Sequence, residues 1–370
     1  MKKFLALALC LGTCGAMFAD NPEAKALYQE GKQQYDAYDG ARTKQMINPN
    51  DPSINTFDMA NQLLSGYKTF MKVLPLDSLP DAKGKVKPKY SKAVVKALNS
   101  HHNDFFLAGI AFNEKEKFYP EAYEAFMIYG DLPKSKYADK FIASTPDSLI
   151  NKAYFYAGVM ANQGGALPES AAAFHKARMN GAEEADTYIN ELACWWAISQ
   201  KDTTKVDDAM KQIEEIATDG YKKFGVNPPI FVTNLVSSWT QSGRKQDATN
   251  LVNDLLKTNP NSSALYSLRA YIYDIDGNDQ ESVNDYRKAA SMEDADFDTL
   301  KRAANKIMRV GTQKWNDMEG NNPELRNDIK TNYFEAAQTI AEKAKKMNAN
   351  DPDIQRILDS VDYALTTYFQ

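Results

Sequence analysis

Along residues 263–294, SALYSLRAYIYDIDGNDQESVNDYRKAASMED, apolar positions recur at helical rather than strand spacing. Tyr266, Ala270 and Tyr273 share one face at intervals of four and three, and Ser282, Tyr286 and Ala289 do the same after the acidic run. The pattern predicts two amphipathic helices, with Gly277 and Asn278 ending the first and letting the chain reverse. The preceding stretch repeats it: Val232, Val236 and Trp239 fall on one predicted helix, Gly243 in the turn, and Ala248, Val252 and Leu255 on the next, closing at Pro260. Ala248 and Ser282 hold equivalent positions 34 residues apart.

Earlier segments carry the same pattern with insertions. Phe105, Ala108, Gly109 and Phe112 precede Ala122, Phe126 and Tyr129; Tyr154, Ala157, Gly158 and Ala161 precede Ser170, Phe174 and Ala177, with Gly164 and Gly165 in the turn. Tyr188, Leu192 and Trp195 precede Ala209, Ile213 and Ile216. In several units a small residue sits where the paired helices are expected to cross. The outer units are looser. A helix around Gly31 is separated by a long loop from Ala60, Leu64, Tyr67 and Phe70, and Leu300, Ala304 and Ile307 are separated from Ala337, Ala341 and Ala344 by a polar insertion near GNNPELRND.

On these residues the chain resembles the tetratricopeptide repeat (TPR) family, whose unit is a 34-residue helix-turn-helix with large residues on the first helix, small ones at the crossing and a terminal proline. The resemblance covers most of residues 22–350 and implies an all-α, right-handed α-solenoid in which each unit buries its apolar face against its neighbours. Asp351 and Pro352 start a last helix expected to cap the array. The implied organisation is a leader over 1–19, N-terminal units with inserted loops over 20–146, and a C-terminal array with its cap over 147–370.

In this family the first helices line a concave face that binds peptides or proteins. Alignment on the small residues brings Phe106, Asn113, Phe155, Asn162, Trp196, Thr233, Thr240, Tyr271 and Asp274 to that face. Rings that stack and amides that satisfy polar groups suit an extended peptide or a glycan. Phe106, Phe155 and Trp196 read equally well as core between repeats.

Charge and the chain's beginning narrow the setting. The first nineteen residues, MKKFLALALCLGTCGAMFA, place two lysines before an apolar run that ends in a small residue, the layout of a secretory signal and too short for a spanning helix. Cleavage is expected near Asp20 or after Ala16, which makes the protein exported, periplasmic or outer-membrane associated. LGTC also resembles a lipoprotein lipobox, so a membrane tether would exist only if Cys14 is lipidated. Without Lys2 and Lys3 the balance is 42 basic against 49 acidic residues, a net of −7, which gives no electrostatic grip on nucleic acid. Of three cysteines only Cys194 follows the leader, so no internal disulfide is expected, and ELACWWAI reads as a buried setting for it.

The acidic run DIDGNDQES raises calcium binding. A twelve-residue EF-hand loop counted from Asp274 puts Gly277 at position four and Asp285 at twelve, so the ligand template fails. The run reads instead as a repeat turn whose acids favour the next helix's N-terminus. His101 and His102 are adjacent and diverge by about 100° on a helix, and His175 stands alone, which predicts no metal site. Phosphate-binding loops and nucleophile motifs are absent, so neither a cofactor nor a catalytic residue is expected. The lysine-rich PLDSLPDAKGKVKPKYS reads as a solvated linker. The expected function is a non-enzymatic scaffold or adaptor binding a protein or peptide partner in the bacterial cell envelope. The alternative is a glycan-binding outer-membrane lipoprotein of a nutrient-uptake system.

Overall fold

The computed structural model describes residues 21–80, 84–115, 117–320 and 322–369. The expected leader, with Cys14, lies outside them. The chain divides into two compact units, one ending at Ala209 and the other starting at Met210. Each is built from helices packed in chain order, with no strand among the described residues.

The first unit contains α1 (Pro22–Ile47), α2 (Thr56–Asp77), α3 (Ser91–Ser100), α4 (His102–Asn113), α5 (Tyr119–Asp131), α6 (Asp147–Gln163), α7 (Leu167–Met179) and α8 (Ala185–Lys201). Successive helices pair from α1 to α8, with α3 set aside so that α2 packs on α4. Helix α9 (Val206–Phe224) begins before the boundary and runs into the second unit. There follow α10 (Ile230–Gln241), α11 (Lys245–Thr258), α12 (Ser263–Ile275), α13 (Asp279–Ser291), α14 (Phe297–Asn316), α15 (Pro323–Ile329), α16 (Ala336–Met347) and α17 (Pro352–Tyr368).

The crossing points explain why small residues recur. A Cβ added to Gly109 would lie 2.7 Å from the Phe126 ring, and one on Gly158 would lie 2.7 Å from Phe174, so glycine is what lets each ring seat against the opposite backbone. A serine also ties the second helix to the first. Ser170 donates to the Gly158 carbonyl at 2.8 Å, and Ser282 donates to the Ala270 carbonyl at 2.9 Å. Both bonds span twelve residues, one in each unit, so the same local device is used twice. At the turns, Gly243 and Gly277 take φ of +76° and +73°, the left-handed geometry in which a side chain would be strained. The fold is a repeat of helical hairpins.

Two segments differ from the sequence reading. The stretch expected as a linker is shorter, because α2 runs through Pro75 to Asp77 and α3 starts at Ser91. The buried Asp77 carboxylate pins the return of the chain, accepting from the backbone N–H groups of Lys89, Tyr90 and Ser91 at 2.8–2.9 Å and from the Ser91 hydroxyl at 2.7 Å. The polar insertion near GNNPELRND is helical from Pro323: α15 passes through a π-helical segment, Lys330–Glu335, into α16. His101 and His102 are both buried. His102 Nε2 lies 2.8 Å from the Tyr129 carbonyl, whereas His101 Nε2 lies 2.9 Å from Asp39 Oδ1, so the two rings serve separate partners.

Helix α17 begins where Asp351 accepts from the N–H groups of Asp353 and Ile354, and it buries Ile354, Ile357, Leu358, Val361 and Ala364. Cys194 is buried with its Sγ 3.1 Å from the Ser170 hydroxyl, and burial pushes its thiol pKa up, the setting of an inert thiol. No described helix is long and apolar enough to cross a membrane.

Candidate functional site

The second unit presents a groove built by the first helices of its hairpins. Tyr271 and Asp274 on α12, Ser237 on α10, and Arg302, Lys306 and Arg309 on α14 border a cavity of about 290 Å³. Lys306 and Arg309 also border a larger recess of about 1050 Å³ that continues along α14 beside α17, where Gln313, Arg356 and Tyr363 join them.

Helical spacing produces this wall. Arg302, Lys306 and Arg309 stand at intervals of four and three, so their side chains form one stripe down α14. The opposite face of α14 carries Leu300, Ala303, Ala304, Ile307 and Val310 into the core. Lys306 is 7% exposed and is held by Asp274 and by Asp279, the latter at 2.6 Å. Asp276, from the same acidic run, pairs with Lys245 at 2.8 Å. The acids that raised the calcium question therefore bind lysines of neighbouring helices, and no group of three metal-ligating side chains occurs among the described residues.

Arg302 and Arg309 differ from Lys306. Both are exposed, and neither makes an ion pair or hydrogen bond among the described residues. They are two open cations on either side of a neutralised one, in a chain whose net charge is −5. Burial pushes the Tyr286 hydroxyl pKa well up, so at neutral pH it stands in this wall as a neutral phenol. The groove thus offers guanidinium forks, a Tyr271 ring and hydroxyl groups, a set suited to carboxylates and to polypeptide backbone.

The other expected site residues have varied positions. Phe106 is half-buried against Phe126, Tyr129 and Tyr156, and Phe155 against Tyr156 and Phe174, so both lie in a continuous aromatic layer between helices. Asn113 and Asn162 are exposed at the C-terminal ends of α4 and α6. Trp196 is half-buried on α8. The hydroxyls of Thr233 and Thr240 donate to carbonyls of their own helix, those of Pro229 at 3.0 Å and Val236 at 2.8 Å, which leaves them only as acceptors. Of the nine, Tyr271 and Asp274 share the cavity with the α14 stripe. Sequence reasoning missed Arg302, Asn305, Lys306 and Arg309, although their spacing within a helix of one-sided basic charge was visible.

No protein-family model and no curated protein matches the chain. Among solved structures it is similar to a tetratricopeptide repeat protein from Parabacteroides merdae, at 14% identity and TM-score 0.41 over 71% of this chain and 100% of that one. It is also similar to a thermophilic TPR protein of Thermus thermophilus, at 11% identity and TM-score 0.30 over 70% and 98%. A third is the TPR2AB domain of yeast Sti1 in its pHSP90 complex, at 15% identity and TM-score 0.25 over 93% and 100%. These likenesses are remote, and function is argued from this chain's own side chains.

Proposed function

We propose that this protein is a non-enzymatic scaffold that, after export, holds a protein partner through an acidic stretch laid along α14. The observation that carries the reading is the pair of guanidinium groups with no ion pair or hydrogen bond among the described residues, Arg302 and Arg309, which both border the smaller recess, Arg309 bordering the larger one as well. Two charge-assisted contacts to carboxylates would anchor a chain segment, while Tyr271 and Tyr363 supply surface on which it can rest. Tyr363 is 62% exposed, unlike the apolar residues of α17 that close the core. Export remains part of the proposal on the strength of the Met1–Ala19 pattern.

The test is capture of the partner from the host by mild crosslinking, followed by affinity measurement with the purified pair. R302E/R309E should bind about tenfold or more weakly for each guanidinium removed, since a hydrogen bond to a charged group contributes about 1.5–3 kcal/mol. Wild-type affinity should also fall with added salt. Unchanged affinity in the double variant would remove the α14 stripe from the account.

A further inference from the structure

We propose that the first unit docks on an anionic lipid bilayer through Leu79 and residues 84–96, the chain that returns into α3 and that helix's outer face. From 77 to 100 the sequence carries six lysines against two acids, Asp77 and Asp81, a net of +4 in a chain whose net charge is −5. Lys85, Lys87, Lys89, Lys92 and Lys96 are all exposed, and Lys87, Lys92 and Lys96 make no ion pair or hydrogen bond among the described residues. Asp77 is buried, with its two oxygens bonded to the amides of the returning chain. At the same end Glu23, in the first turn of α1, is offset by Lys25.

The fold fixes where these charges stand. On α3, Val94 and Leu98 enter the core, and Lys92 and Lys96, one turn apart, leave from the opposite side. An antiparallel bridge holds Val86 beside Pro80, which leaves Leu79 and Val86 57% and 53% exposed among the lysines. Ammonium groups interspersed with exposed aliphatic side chains suit a membrane interface, where the cations meet lipid phosphates and the aliphatic groups enter the headgroup boundary. Nucleic acid fits less well, because the patch holds no arginine and its one ring, Tyr90, is already stacked on Tyr28 at 4.9 Å. Position favours a bilayer too. Asn21 Nδ2 donates to the Leu76 carbonyl at 3.3 Å, so the chain before Asn21 joins the unit at the end that bears the lysines. A lipid on Cys14 would draw this same end to a membrane, and one acyl chain plus a basic patch is a pairing that makes such an anchor stable. The inference stands without that lipid, and it does not depend on the α14 groove.

The experiment sediments the chain from Asp20, which keeps every described residue, with sucrose-loaded vesicles of phosphatidylcholine alone and of equal parts phosphatidylcholine and phosphatidylglycerol. Partitioning should be at least about a hundredfold stronger on the phosphatidylglycerol vesicles and should fall with added salt. K87Q/K92Q/K96Q should lower it about a hundredfold, since each lysine near an anionic surface contributes about fivefold. L79S/V86S should lower it severalfold with the salt dependence kept. K140Q/K201Q/K346Q removes the same charge from exposed lysines elsewhere and should bind as the unaltered chain does. Every substituted side chain is exposed, so circular dichroism should show the same helical content throughout. No binding to vesicles, equal partitioning on both kinds, full binding by K87Q/K92Q/K96Q or by L79S/V86S, or an equal loss in K140Q/K201Q/K346Q would overturn the proposal. So would retention on duplex DNA that K87Q/K92Q/K96Q abolishes, without vesicle binding, since that outcome makes the ligand a nucleic acid.

Discussion

Gly158 shows how one residue sets the spacing of a helix pair. Its missing Cβ admits the Phe174 ring, and the same pairing recurs at Gly109 and Phe126. Substitution G158A should cost about 1–3 kcal/mol, the usual penalty for inserting a methyl into a packed core, read as a lower urea midpoint for the first unit. Asp77 controls a different feature. Burial alone would raise its carboxyl pKa, but donation from the Ser91 hydroxyl and the Lys89, Ser91 and Tyr90 amides outweighs that and holds it below the usual range. A depressed folded value means that its stabilisation is present above the unfolded pKa of about 3.9 and is lost as pH falls from there through the folded value. Hydrogen exchange at the Lys89, Tyr90 and Ser91 amides should therefore accelerate selectively below about pH 4, and D77A should show fast exchange already at pH 7 with about 1–2 kcal/mol lost, the scale of a removed helix cap. The crossing glycines were legible because family spacing marks them. Asp77 was not, because its donors lie twelve to fourteen residues away across a loop.

At the scale of elements, helices with strong periodicity were readable and the interrupted ones were not. The α12–α13 hairpin has apolar faces, a turn glycine and a clear start signal, and the structure forms it with those residues. Helix α3 was missed because SKAVVKALNS is short and adjoins lysine-rich chain, though Val94 and Leu98 bury one face of it. The segment from Pro323 to Met347 was split because its π-helical turn shifts the apolar period by one residue, which a pattern of 3.6 cannot follow. Helix α17 was legible as a cap. Deleting residues 352–370 should uncover the apolar surface beneath Ile354, Ile357 and Val361, and the account expects a lower melting temperature and stronger binding of a hydrophobic dye. Unchanged melting would mean that α17 is dispensable to the second unit's core.

At the scale of the whole molecule, the excess of acid over base is not evenly expressed. The second unit carries a basic stripe open to anions, and the first buries the Asp104 carboxylate against the Arg42 guanidinium. Composition alone pointed away from nucleic acid, but it could not show which charges were already paired. That distinction is three-dimensional: Lys306 is neutralised by acids 27 and 32 residues away, whereas Arg302 and Arg309 beside it are not. Tyr271 and Asp274 were placed on the groove by alignment of repeats, while the arginines opposite them lie on a helix outside the strict register.

The most direct measurement places a photocrosslinking residue at Gln313, in the groove, and separately at Lys346, exposed on α16. The partner captured from the host should crosslink from Gln313 and not from Lys346, and R302E/R309E should remove the Gln313 product. Crosslinking from Lys346 with none from Gln313, or a Gln313 product indifferent to the two arginines, would contradict the claim that α14 holds the partner.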